Sequence, residues 1–83
     1  MKHHSHPEIS KRLKRAEGHL RSVIVMIADA KPCVELAQQL YAVESAVAKA
    51  KKELIHDHIE HCLEDGRDKK NALREMKQLA KYL

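Results

Sequence analysis

Apolar residues recur every three or four positions along most of the chain, and this spacing predicts amphipathic helices. In the first segment the apolar positions run from Ile9 to Ile27, and Pro7 stands where a proline suits the first turn of a helix. The stretch from Asp29 to Pro32 breaks the pattern. We therefore predict a first helix that begins at Pro7 and ends near Asp29.

The second segment carries a longer apolar seam, in which steps of four and three residues alternate. This heptad-like spacing is typical of helices that pack in bundles. We expect the helix to open at Pro32, to run to about Leu63, and to stop at Gly66. Its seam residues are Leu36, Leu40, Val43, Val47, Ala50 and Leu54.

A third, shorter helix follows, with Asp68 as its predicted N-cap. Its apolar stripe consists of Leu73, Met76, Leu79, Ala80 and Leu83. No hairpin signal or internal repeat interrupts the three helical segments. The sequence thus predicts an all-α protomer with a long central helix. We interpret residues 1–83 as a single domain, with residues 1–6 as a flexible, His-rich lead.

The chain is short of core-filling side chains, because its 83 residues include two Tyr and no Phe or Trp. Small domains of this kind often gain stability by oligomerising. The second helix would be about 45 Å long, which exceeds its flanking partners. A second copy could cover the excess seam. The simplest arrangement is a dimer in which the first two helices of each chain form a four-helix bundle.

The net charge of +4 is unevenly spread, because residues 1–31 alone carry seven Lys or Arg and three Asp or Glu. A basic N-terminal third suits an anionic partner such as nucleic acid, although solvated helix faces are the competing interpretation. Nothing in the sequence is typical of a signal peptide or a membrane span. We therefore expect a cytoplasmic protein with no membrane partner.

Three residues form a candidate metal site. His58 and Cys62 are one helical turn apart and continue the apolar seam, where a polar residue is unexpected. Cys33 supplies a second thiol. Thiolate and imidazole are ligands that Cu(I), Zn(II), Ni(II) and Co(II) accept. The competing interpretation makes Cys33 a small buried apolar residue. No phosphate loop, nucleophile elbow or specific carboxylate pair indicates an enzyme.

These ligands are too far apart to share a metal within one chain. Cys33 and Cys62 would be roughly 43 Å apart on one straight helix. In an antiparallel pairing of two long helices, Cys33 of one chain meets His58 and Cys62 of the other. The site would then bridge the dimer, with two equivalent sites in each dimer.

Three features together resemble the CsoR/RcnR family of bacterial repressors: Arg12–Leu20, the Cys33 region through Val43, and the spacing C-x24-H-x3-C. The resemblance covers nearly the whole chain. It implies a three-helix protomer, a dimer built on an antiparallel four-helix bundle, and a homotetramer formed as a dimer of dimers. It also implies that the metal-free protein binds operator double-stranded DNA and that effector binding releases it, which derepresses metal efflux.

The resemblance leaves the effector open. Copper sensors of the family use the Cys–His–Cys set and a supporting glutamate in the third helix, which Glu75 matches. Nickel and cobalt sensors add an N-terminal histidine, for which His3 is our prediction and His4 or His6 are alternatives. The leader looks most like the nickel/cobalt branch named DmeR. We favour Ni(II) or Co(II), with Cu(I) as the alternative. A metallochaperone or metal-storage protein without operator binding is the alternative from another class.

The DNA-binding residues follow partly from the resemblance and partly from charge. Arg12 and Lys14 match family positions that are tied to DNA binding. Charge alone adds Arg15, Arg21, Lys49, Lys51 and Lys52. Without interleaved aromatic residues, base stacking is not expected. Contacts to phosphates and recognition of duplex shape should dominate, and binding should depend steeply on salt.

Overall fold

Three helices make up the described chain: α1 (Pro7–Ala28), α2 (Cys33–Asp65) and α3 (Lys69–Ala80). The computed structural model describes residues 6–65 and 69–83, and the side chains of residues 62–65 are outside that description. The predicted all-α protomer with a long central helix is confirmed within these ranges. The predicted stop and cap, Gly66 and Asp68, lie outside the described residues.

The helix boundaries differ slightly from the predicted ones. α2 begins one residue after Pro32 and continues two residues beyond Leu63. Differences of this size are usual at helix ends, where the last turn adjusts to its surroundings. Leu83 lies past the end of α3, in a terminal turn where Tyr82 N–H donates to the Leu79 carbonyl over 3.0 Å. The predicted apolar stripe of α3 therefore loses its last member.

The helices α1 and α2 pair along one heptad-spaced stripe. On α1 the buried residues are Ile9, Ala16 and Val23, each seven positions from the next. On α2 the buried residues Val43 and Ala50 have the same spacing. The two alanines let the helix axes approach closely, while the branched residues fill the space between them.

The predicted seam of α2 is divided between two faces. Val43 and Ala50 are buried against α1, but Leu40, Val47 and Leu54 remain 43% to 45% exposed. A helix presents only one side to a single neighbour, so α1 cannot cover residues on both sides of the seam. Together with Leu13 and Leu20 of α1, which are 44% and 43% exposed, these three side chains form what we call the half-exposed strip.

The turn between α1 and α2 closes with a left-handed residue. Ala30 has φ 56°, Lys31 N–H donates to the Met26 carbonyl, and Ala30 N–H donates to the Ile27 carbonyl. This pair of bonds is the Schellman arrangement, in which glycine usually occupies the left-handed position. The turn reverses the chain within a few residues, so α2 runs back along α1.

The far end of α2 extends past α1 and packs against α3. At 33 residues, α2 is about 50 Å long. α3 contacts α2 and not α1. A groove lies where His6, the second half of α2, and the end of α3 with the residues after it come together. No helix in the described residues is long and apolar enough to cross a membrane.

Candidate metal centre and nucleic-acid interface

His58 is held by a carboxylate from the third helix. Its side chain is 16% exposed, and its Nε2–H donates to Glu75 Oε2 over 2.7 Å. A histidine that ligates a metal usually gives its other ring N–H to a carboxylate, which fixes the tautomer and the ring orientation. With the proton on Nε2, the ligating lone pair of a neutral ring is on Nδ1. The structure thus brings Glu75 to the predicted ligand His58.

A groove of about 680 Å³ opens beside this pair, and we call it the His58 groove. Its walls combine two imidazoles and one carboxylate with the apolar side chains of α2 and α3. The lining residues are His6, Leu54, Ile55, His58, Glu75, Gln78, Leu79, Lys81 and Tyr82. Of the three candidate leader histidines, His6 therefore reaches the same groove as His58, and His3 and His4 lie outside the described residues.

His6 has a left-handed backbone conformation, and its side chain lies beside α2. His6 is the N-cap of α1 and has φ 48° and ψ 58°, a left-handed conformation that is uncommon for a residue other than glycine. Its carbonyl accepts a hydrogen bond from Ser10 N–H over 2.9 Å. Its side-chain Nδ1 lies 3.4 Å from Asp57 Oδ2. Such a conformation persists only when neighbouring contacts hold it, and it recurs at functional sites.

The two cysteines lie apart from each other along α2. Cys33 is exposed at the first residue of the helix, about 37 Å along the axis from His58. Cys62 lies one turn beyond His58 on α2, and its side chain is outside the described residues. Within the described part of one chain, no three His, Cys, Asp or Glu side chains gather to hold a metal. The structure therefore does not bring Cys33 to His58 within one protomer.

The donor chemistry nevertheless fits a transition metal. An imidazole fixed by a carboxylate, a second imidazole on the same groove and cysteine thiols are ligands for borderline and soft ions such as Ni(II), Co(II) and Cu(I). Glu75 holds the His58 imidazole through the 2.7 Å contact described above. Hard cations such as Mg²⁺ prefer oxygen ligands and do not suit this set.

A second groove, which we call the basic groove, lies between α1 and α2 on a different part of the surface. It holds about 430 Å³ and is lined by Glu8, Lys11, Arg12, Arg15, Ala16, His19, Ala46 and Lys49. Three of the predicted DNA-binding residues, Arg12, Arg15 and Lys49, are brought together here. Lys11 and His19 join them, although the sequence analysis did not select either residue.

The remaining predicted DNA-binding residues do not line the basic groove. Lys14, Arg21, Lys51 and Lys52 are all exposed on other parts of α1 and α2. Arg21 Nη2 is 3.8 Å from Glu17 Oε2, one turn earlier on α1. The structure thus divides the seven basic residues into one clustered group of three and four dispersed ones.

Two contacts between α1 and α2 were not predicted. Arg12 Nη1 lies 3.0 Å from Glu53 Oε1, and His19 Nε2–H donates to Gln39 Oε1 over 2.6 Å. Both contacts join residues far apart in sequence. Hydrophobic periodicity predicts which sides of two helices meet, but the register between the helices decides which polar residues face each other. No local signal in the sequence could have paired them.

A family described as metal-sensitive transcriptional repressors matches residues 5–83. The chain belongs to this family, which is the CsoR/RcnR family. The copper-sensing repressor CsoR of Mycobacterium ulcerans is 40% identical over 60 residues, covering 68% of this chain and 51% of the relative. CsoR of Bacillus subtilis is 36% identical over 59 residues, covering 71% of this chain and 58% of the relative.

Membership of the CsoR/RcnR family also agrees with a solved structure. The nickel-responsive transcriptional regulator InrS superposes with a TM-score of 0.83 at 28% identity, covering 100% of this chain and 98% of InrS. The chain spans about half the length of the curated relatives it matches. The family consists of transcriptional repressors rather than enzymes. Because copper and nickel both appear among these proteins, membership alone does not select the metal.

Proposed function

We propose that this protein is a metal-responsive transcriptional repressor that binds operator DNA in its metal-free form and releases it on binding Ni(II) or Co(II). The observation that carries the proposal is the His58 groove. It is lined by two histidines, and each histidine lies beside a carboxylate: His58 at 2.7 Å from Glu75 and His6 at 3.4 Å from Asp57. Family membership supplies the connection to DNA.

The proposed ligands are His58 and Cys62 of one chain, Cys33 of a second copy, and His6. We favour His6 over His3 because His6 lies on the His58 groove. A second copy is needed because Cys33 is about 37 Å from His58 along α2. An antiparallel pairing of two α2 helices would bring Cys33 of one chain to the His58 groove of the other.

The choice of metal depends on the fourth ligand. Ni(II) and Co(II) accept a mixed set of two imidazoles and two thiolates, whereas three soft ligands satisfy Cu(I). The position of His6 supports Ni(II) or Co(II). The alternative is a Cu(I)-responsive repressor that uses Cys33, His58 and Cys62 alone, and the copper-sensing relatives favour it.

We further propose a dimer built on an antiparallel four-helix bundle, with a homotetramer as a dimer of dimers. The half-exposed strip on α1 and α2 supports the dimer, because it is apolar and α1 and α2 leave it uncovered. The same pairing would complete the metal site. A repressor of this kind acts on chromosomal DNA, so we expect it in the cytoplasm.

Metal binding and DNA binding can be coupled through the start of α1. His6 precedes α1 directly, and Arg12 of the basic groove lies less than two turns further along the same helix. A ligand that draws His6 toward His58 therefore shifts the basic residues of α1 relative to Lys49 on α2. Because such coupling is reciprocal, DNA should weaken metal binding by the same factor.

The decisive experiment measures DNA affinity with and without metal. Fluorescence anisotropy would follow binding of the protein to a labelled duplex from the region upstream of its own gene, in chelator and then with saturating Ni(II), Co(II) or Cu(I). We expect tight binding in chelator and at least about fivefold weaker binding with the cognate metal. A metallochaperone would bind metal without binding this duplex. Affinity that none of the three metals changes would exclude the sensor function.

The metal itself is tested by competition titrations on leader variants. Replacing His6 by alanine should lower Ni(II) affinity about tenfold or more and leave Cu(I) affinity unchanged. A variant with His3 and His4 both replaced is the matched control and should keep Ni(II) affinity. If the His6 variant binds both metals as the wild type does, His6 is not a ligand and the Cu(I) alternative is favoured.

A further inference from the structure

Arg12 of the basic groove is already engaged by a carboxylate of its own chain. Arg12 Nη1 lies 3.0 Å from Glu53 Oε1, and the two side chains are 41% and 34% exposed. Arg12 comes from α1 and Glu53 from α2, so the contact crosses the helix pair. It is shorter than the Lys11–Glu8 and Arg21–Glu17 pairs within α1, which measure 4.0 Å and 3.8 Å.

The position of this pair sets it apart from an ordinary surface contact. Arg12 lines the basic groove with Lys11, Arg15 and Lys49. These side chains offer positive charge to an anion. A guanidinium binds a carboxylate and a phosphate with the same planar array of N–H donors, so the two anions compete for it.

We propose that Glu53 is an intramolecular competitor of DNA phosphate for Arg12 and thereby limits the affinity of the protein for DNA. This inference rests on the proposed function as a DNA-binding repressor. The Glu53 carboxylate occupies donors that a phosphate oxygen would otherwise accept from. DNA binding through Arg12 must therefore break the contact with Glu53, and the energy of that contact is subtracted from the binding energy.

The size of the effect follows from the exposure of the pair. Both side chains are about one-third to two-fifths exposed, so solvent and salt weaken their attraction considerably. Exposed pairs of this kind change an equilibrium by about two- to fivefold. In an oligomer that places more than one Arg12 on the DNA, the fold-changes in DNA affinity from the individual protomers multiply.

The test compares the DNA affinity of E53Q with that of the wild type. Anisotropy titrations in chelator would use the upstream duplex, at low salt and again at higher salt. E53Q should bind about two- to fivefold more tightly for each engaged protomer, and the gain should shrink as salt rises. E60Q is the matched control, since Glu60 lies two turns further along the same side of α2 and has no ion pair among the described residues. E60Q should change the affinity by less than about twofold.

A double-mutant cycle with R12Q separates competition for Arg12 from a general effect of charge. In the R12Q background, E53Q should have no further effect, because the guanidinium that Glu53 restrains is gone. An equal gain with and without Arg12, or an equal gain in E60Q, would show a long-range charge effect and overturn the inference. Weaker binding by E53Q would show that Glu53 orients Arg12 for DNA, which also overturns it.

The same titrations keep the inference distinct from the proposed function. If the wild type binds the duplex and responds to metal but E53Q has the same DNA affinity, the repressor function is supported and the proposed role of Glu53 is wrong. If neither the wild type nor E53Q binds the duplex, the repressor function itself is wrong. Circular dichroism of each variant would confirm that the helices are intact, since Glu53 and Arg12 are both partly exposed and their replacement removes no core contact.

Discussion

Replacing Leu20 should weaken self-association of the protein. Five side chains of α1 and α2 are each 43% to 45% exposed: Leu13, Leu20, Leu40, Val47 and Leu54. These five residues form the half-exposed strip on α1 and α2. In the proposed dimer the strip is covered by a second copy, so the uncovered fraction of each side chain would become buried.

The magnitude follows from that fraction. Full burial of a leucine or valine side chain contributes about 1.5–3 kcal/mol, so covering the remaining two-fifths contributes about 0.6–1.3 kcal/mol. Symmetry places Leu20 at the interface twice. L20A should therefore destabilise the dimer by about 1–3 kcal/mol, which corresponds to about a 5- to 150-fold increase in its dissociation constant. L20E should abolish the dimer, because it would bury two carboxylates without partners.

Sedimentation equilibrium across a range of protein concentrations would measure the association, and the melting temperature at each concentration would measure the linked stability. L73A is the matched control. Leu73 is 55% exposed on α3, outside the strip, so its replacement should leave the dimer constant within about threefold. If L20E sediments as the wild type does, or if the wild type is monomeric at micromolar concentration, the strip is not a dimer interface and the bridging metal site is refuted with it.

Three further predictions concern contacts within the chain. E75Q should lower metal affinity about 10- to 100-fold, because it weakens the hydrogen bond that orients His58, and it should leave metal-free DNA binding unchanged. Metal-competition titrations would measure this change, and an undiminished metal affinity would contradict it. Ala30→Gly should raise the free energy of unfolding by about 0.5–1 kcal/mol, because φ is 56° at that position and glycine adopts it without a side-chain clash; a destabilised variant in urea titrations would contradict the assignment of the turn. Gln39→Ala should lower the free energy of unfolding by about 0.5–1.5 kcal/mol, because His19 Nε2–H loses its acceptor. An unchanged thermal unfolding transition would show that the 2.6 Å contact adds no stability.

Much of the fold could be predicted from the sequence, because helices are encoded locally. The apolar spacing from Ile9 to Ile27 and the break before Pro32 predicted α1 and the turn that follows it. Within the candidate metal centre, the i, i+4 spacing of His58 and Cys62 identified two neighbouring positions on one helix. The resemblance to the CsoR/RcnR family then matched Glu75 to a supporting role, and in the structure Glu75 Oε2 lies 2.7 Å from His58 Nε2.

The polar pairings between helices could not be predicted in this way. Which carboxylate meets Arg12 depends on the register of α1 against α2, and the stripe that α1 buries consists of the apolar residues Ile9, Ala16 and Val23. A shift of α1 by seven residues, or two turns, would keep an apolar stripe against α2 and give Arg12 a different neighbour from Glu53. For the same reason the sequence alone could not choose among the leader histidines.

The sequence by itself determined three helices, a basic N-terminal third and a set of thiol and imidazole donors on a long α2, because these depend on residue type and helical spacing. Tertiary structure alone decided that His6 and His58 share one groove, that Arg12, Arg15 and Lys49 share another, and that Glu53 lies against Arg12. The physical reason is that helix periodicity fixes which side of a helix each residue occupies. Only the packing of one helix on another fixes which residues from distant parts of the chain come within reach of each other.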